Sequence, residues 1–175
     1  MSGLFPTPDE AVEHFARAFQ ETAACVCNAN FNYPASKPLG RDQVLALGGG
    51  YDVPIGGGLY LYASHHFRVI EADTQAGDVA GFAITTGGYT YSVNSDQHGG
   101  ELVSWHWHTT PKSWCQWPHL HARCDLGDHL ATGRVALEQV VLWLILEANV
   151  SPLRGDWEEL LATHEADWRA RRSWG

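Results

Sequence analysis

The stretch from Ser104 to Arg123, SWHWHTTPKSWCQWPHLHAR, holds two His-x-His pairs, His106/His108 and His119/His121, together with four tryptophans. Imidazole titrates closer to neutral pH than any other side chain and is the commonest protein ligand of divalent metals, so this spacing raises three chemistries. In the first, a His-x-His pair on one strand and a third histidine on its neighbour converge on Zn2+ or non-haem iron, leaving one coordination position open to activate water. Here His106, His108 and His119 are the metal ligands and His121 is the proton shuttle. In the second, two histidines of unequal pKa act without metal as general acid and general base on a phosphodiester or small-molecule substrate. His66 is a further candidate, and Arg68 or Arg123 stabilises charge. In the third, the imidazole and aromatic surface binds a ligand or protein partner without catalysis. The plainer alternative is that the histidines line the solvated face of a sheet. Four in phase on two nearby segments favour a site over that alternative.

Such chemistry requires strands, because strand residues two apart leave on the same face. Over Glu101 to His108, Val103, Trp105 and Trp107 point one way, and Ser104, His106 and His108 the other. In the next segment Pro118, Leu120, Ala122 and Cys124 share an apolar face, and Trp117, His119, His121 and Arg123 the opposite one. If the two strands pair antiparallel, both histidine pairs lie on one side of the sheet. The run LYLYASHHFRVIE alternates likewise. Leu59, Leu61, Ala63, His65, Phe67 and Val69 face a core, while Tyr60, Tyr62, His66 and Arg68 join the histidine side. His65 then reads as a core histidine, and Tyr89 and Tyr91 as packing residues. Carboxylates available to support metal-binding histidines are Glu71, Asp96, Glu101, Asp125 and Asp128. His129, just ahead of Thr132, either closes over the site or belongs to an exposed loop. Arg134 near a helix start opposes the helix dipole, which points to a partner for it.

The elements that position this sheet are readable from caps and periodicity. Thr7-Pro8-Asp9-Glu10 starts a helix running to about Cys27, with Val12, Phe15, Ala16, Phe19 and Ala23 on one stripe. Residues 28–58, rich in Gly and Pro, read as a long loop with one short helix over Asp42 to Leu47. VAGFAITTGGYTYSV, broken by Gly87-Gly88, is one bent strand or two shorter ones, and NSDQHGG turns the chain back. Thr132 is the expected cap of an apolar helix through Ala148, with Pro152 just beyond. Asp156 and Glu159 open a last helix carrying Trp157, Leu160, Leu161, His164 and Trp168. The expected fold is α+β in a single domain, 1–175. It comprises an N-terminal helix, an antiparallel sheet of about four or five strands, and two C-terminal helices packed on one sheet face.

A chain of 175 residues with 45% hydrophobic and 18% charged residues has the composition of a globular protein able to bury a core without staples. Its formal charge of −9 repels a phosphate backbone at long range and disfavours extended nucleic-acid binding. Neither a signal-like start nor an apolar run of about 18 residues is present, so a cytoplasmic location with no membrane association is the expectation. Cys25, Cys27, Cys115 and Cys124 form no CxxC framework and read as reduced thiols.

Three resemblances accompany these readings. Gly100 followed by His106-x-His108 in GELVSWHWH is similar to the first half of the first cupin motif, with Lys112 and Ser113 where that motif places its Glu. The HWH and HLH pairs resemble, in geometry, the strand-borne zinc histidines of alpha carbonic anhydrases. The order HWH, PHLH, HLATGR and a terminal DW followed by RSW resembles uncharacterised bacterial, mainly actinobacterial, proteins carrying HxH, PHxH and H-[IL]-P-T-G-R, with Ala131 in place of Pro. That last resemblance implies the site residues and no particular activity. Together with the histidine pattern it leaves a metal-dependent, hydrolase-like enzyme as the leading expectation. The other class is a non-catalytic interaction protein or toxin–antitoxin component, including a metal-free, histidine-dependent ribonuclease.

Overall fold

The computed structural model describes residues 4–72, 81–96, 100–109, 115–122 and 129–171. Helix α1 (Pro8–Ala23) starts where its cap requires, the Thr7 hydroxyl accepting a hydrogen bond from the Glu10 amide at 3.2 Å. It ends earlier than the expected Cys27, because Cys25 and Val26 leave it in a tight turn bonded to Thr22 and Ala23 carbonyls. The chain then forms β1 (Phe31–Asn32), β2 (Gln43–Leu47) and β3 (Val53–Gly56). The expected 28–58 loop therefore contains three short strands, and the short helix expected over Asp42 to Leu47 is a strand over Gln43–Leu47. Val44 is exposed between buried Gln43 and Leu45, an alternation that belongs to a strand. Gly48, Gly49 and Gly50 turn β2 into β3 with φ of 57°, 71° and 92°, and a Cβ on Gly48 would lie 2.6 Å from Val53.

Two long strands, β4 (Leu59–Ala72) and β5 (Gly81–Asn94), form the centre of the sheet, followed by β6 (Glu101–His108), β7 (His119–Ala122) and β8 (Leu130–Ala131). The order is β1-β2-β4-β5-β6-β7-β8, with β3 also on β4, and every pairing is antiparallel. The fold is α+β as expected, but among the described residues the sheet has eight strands rather than four or five. The additional strands are short ones inside glycine-rich sequence and at the sheet edge. The VAGFAITTGGYTYSV segment yields a single bent strand. The register shifts between His66 and Phe67, where Gly88 pairs with His66 and Thr86 with Phe67, so Gly87 is the bulged residue.

One face of the sheet carries the core. Leu61, Ala63, Phe67 and Val69 of β4 and Tyr89, Tyr91 and Val93 of β5 are buried with Val12, Ala16 and Phe19 of α1. Also in this core are Val140, Val141 and Leu144 of α2 (Leu137–Leu146) and Leu161 of α3 (Trp157–Arg171). Each fully buried side chain such as Phe67 contributes about 1.5–3 kcal/mol. Trp105 of β6 meets Trp143 of α2 edge-on at 5.7 Å. The cap of α2 is Ala136, not Thr132, and the Gln139 side chain accepts the Ala136 amide at 3.0 Å. A polar clamp joins the three helices. The Thr22 hydroxyl donates to Glu138 at 3.0 Å and lies 3.2 Å from Nδ1 of His164, whose Nε2 is 3.2 Å from Glu21. Burial raises the Glu138 pKa. Among the described residues no helix is long and apolar enough to cross a membrane.

Candidate metal centre

The histidines occupy the sheet face opposite the helices, and register brings them together. His106 of β6 pairs with His119 of β7, and Ser104 pairs with His121. Directly opposed residues of an antiparallel pair project to the same side. Both His-x-His pairs therefore share a face, while Trp105 and Leu120, also paired, share the other. One cross-strand row reads Ser64, Thr90, His106, His119 and Ala131. The row beside it reads Tyr62, Ser92, Ser104 and His121. Ser64, Thr90, Ser92 and Ser104 are the small hydroxyl residues between Tyr62 and the imidazoles on this face.

Within it, His106, His119 and His121 each offer a ring nitrogen, and the three atoms lie within 4.8 Å of one another. These three histidines could hold a metal ion. A tetrahedral ion about 2.1 Å from each nitrogen would hold them about 3.4 Å apart, so small ring rotations complete the set. His119 is fully buried, and its Nδ1 lies 2.8 Å from the Trp117 carbonyl. An Nδ1–H donated there leaves the lone pair on Nε2, the tautomer that a metal ligand needs. The Cys115 sulfur is 3.1 Å from the same Nδ1 and so lies behind the ring, on the side away from Nε2. Nδ1 of His106 is 3.4 Å from Nε2 of His108. The buried Nε2 of His106 has no hydrogen-bond partner among the described residues. Burial first, and then the neighbouring His121, His108, His119 and His129, push the His106 pKa down to about 4. Burial first, and then His119, His66 and His121, lower the His108 pKa. At neutral pH the His106 ring is uncharged and its lone pair is available.

This trio differs by one member from the expected His106, His108 and His119. β7 begins at His119, opposite His106, so His108 lies past its end with no histidine across from it. On its other side His108 pairs with Gly88, which pairs with His66. His66 is exposed and stands across that glycine, close enough for its charge to act on His108. Arg68 is outside the cluster. It pairs with Thr85, beyond the end of β6, and is bound through Nε and Nη2 to Asp42 at 2.6 and 3.1 Å. Arg123, Cys124, Asp125, Asp128 and His98 lie outside the described residues. Of the supporting carboxylates, Glu101 turns to the Ser92 hydroxyl at 3.5 Å, and Glu71 pairs with Phe82 on the far half of β5. The partner behind His119 is instead a main-chain carbonyl.

His129 belongs to the cluster as well, although it is not among the expected metal ligands or proton-transfer residues. Its ring centroid lies 4.3 Å from His121 and 4.9 Å from His119. The signal available in sequence was its place one residue ahead of Leu130, in the HLATGR segment. Its proximity follows from β8 pairing with β7. Arg134, expected to seek an anion, lies over the Trp107 ring at 3.8 Å. His65 is the expected core histidine, its Nδ1 3.0 Å from the Tyr91 hydroxyl, and Tyr89 and Tyr91 stack at 4.8 Å. Cys25, Cys27 and Cys115 form no disulfide with one another.

No family model matches the chain, and no curated protein or solved structure matches it either.

Proposed function

We propose that the chain is a metal-dependent, hydrolase-like enzyme whose His106, His119 and His121 hold Zn2+ or Fe2+. The observation that carries this reading is the convergence of three imidazole nitrogens, with His106 Nε2 buried and lacking a hydrogen-bond partner among the described residues. Such an atom is costly unless something binds it. A divalent ion there, with three protein ligands and one open position, supplies Lewis acidity and an activated water. His119 is held by the Trp117 carbonyl in the required tautomer. His129 and His108 flank the trio at ring distances of 4.3 and 5.4 Å from its nearest members and are the candidates to accept and release protons. The metal-free reading is weaker because Arg68, one of its two charge stabilisers, is committed to Asp42.

The test is elemental mass spectrometry on untagged protein purified without chelator, beside His106→Ala, His119→Ala, His121→Ala and a His66→Ala control. About one equivalent of metal in the wild type and in the control, lost from each of the other three, is the expected outcome. Metal-free wild type whose melting temperature does not respond to added Zn2+ or Fe2+ refutes the reading and returns the face to a binding role.

A further inference from the structure

Ser104 sits beside this trio without an evident task. It is fully buried, and its hydroxyl has no hydrogen-bond partner among the described residues. A buried hydroxyl in that state is less stable than an alanine of the same backbone, so a ligand that completes it is the economical explanation. Register fixes what it borders. Ser104 is directly across from His121 and two residues before His106 on the same face. Opposed Cβ atoms are about 4.5–5.5 Å apart, and next-but-one residues on a strand about 7 Å. The hydroxyl thus adjoins two of the three metal-ligating side chains. Neutral imidazoles add no charge, so an ion held by three of them keeps its full double charge and favours an anion at its fourth position. The other residues in the two rows around Ser104 are Ser64, Thr90, Ser92 and Tyr62, and the Glu101 carboxylate that reaches this face accepts a hydrogen bond from Ser92 at 3.5 Å.

We propose that the open position takes a small oxyanion of carboxylate type, with one oxygen on the metal and a hydrogen bond donated to it by Ser104 Oγ. This inference rests on the metal reading above and adds the ligand class and the residue that selects it. Ser104 is the specificity element: an O–H that rewards an oxygen acceptor and does nothing for a neutral nitrogen ligand.

The experiment uses the full chain loaded with Co2+, titrated with acetate and separately with imidazole, and followed by visible absorption in wild type, Ser104→Ala and Ser104→Thr. Equal Co2+ uptake is expected in all three. Ser104→Ala should weaken acetate about tenfold or more, leave imidazole within about twofold, and Ser104→Thr should restore acetate. Wild type that binds Co2+ through the trio but gives the same acetate Kd as Ser104→Ala overturns the Ser104 inference alone. Wild type that takes up no Co2+ overturns the metal reading and this inference together.

Discussion

His65 makes the stability of this protein depend on pH in a way that can be worked from the structure. Its ring is enclosed by Phe19 at 4.9 Å, Phe15 at 5.5 Å and Tyr89 at 6.1 Å. Burial, with a smaller contribution from the charge of His66, lowers its pKa from 6.5 to about 3. A histidine whose folded pKa is depressed favours the native state fully above the unfolded value, and that advantage disappears as pH falls through the window between the two. At about pH 5 the unfolded chain gains about 2 kcal/mol from protonating this one ring, against about 0.2 kcal/mol at pH 7, from RT ln(1 + 10^(pKa − pH)). That result requires only that the folded pKa lie well below 5. Against a total stability of about 5–15 kcal/mol it is readily measured. The perturbation is His65→Gln, which keeps a polar partner for Tyr91 and cannot titrate. Urea unfolding of both proteins in chelator, at about pH 7 and about pH 5, gives the comparison. His106 is common to both and cancels. The variant should be less stable at pH 7, and the gap should shift in its favour by about 2 kcal/mol at pH 5. Parallel losses in the two proteins would refute a neutral, buried His65.

Two further substitutions report on the scaffold. Gly88→Ala places a Cβ 2.5 Å from the Trp107 carbonyl oxygen, at a residue with φ of 156°, and should cost about 1–3 kcal/mol in denaturant unfolding; an unchanged midpoint would show that β5 and β6 separate easily there. Thr22→Val removes the hydroxyl that serves Glu138 and His164 at the junction of the three helices, and should lower stability by about 1–3 kcal/mol near neutral pH, measured by thermal unfolding. A neutral effect would mean that Glu138 reaches another donor.

The histidine face was legible in the sequence because its information is local. Alternation over SWHWH and PHLH assigns each side chain a face with no knowledge of the partner strand. What local pattern does not carry is where a strand stops along its neighbour. His108 and His121 have the same alternation, and the start of β7 opposite His106 leaves His108 beside His106 but past the end of β7. Arg68 was misplaced for a similar reason, since its Asp42 partner comes from just ahead of β2, at the start of a stretch that reads as a short helix. The run QVLAL is too short for its period to separate a strand from a helical turn, and the flanking glycines pointed to a loop. His129 reaches the cluster through the two-residue β8, a pairing with almost no sequence signature.

The 2.8 Å contact between His119 and the Trp117 carbonyl has an evolutionary consequence. The acceptor belongs to the main chain, so no codon change at position 117 can delete it. The ring orientation is thereby inherited through the path of the backbone rather than through the side chain at position 117. The site's tolerance to mutation is consequently uneven. Replacement of Trp117 leaves the support intact, whereas an insertion or deletion between Cys115 and His119 would abolish it. In lineages descended from this chain, the spacing of that short segment should be the preserved character and its residue identities the variable one.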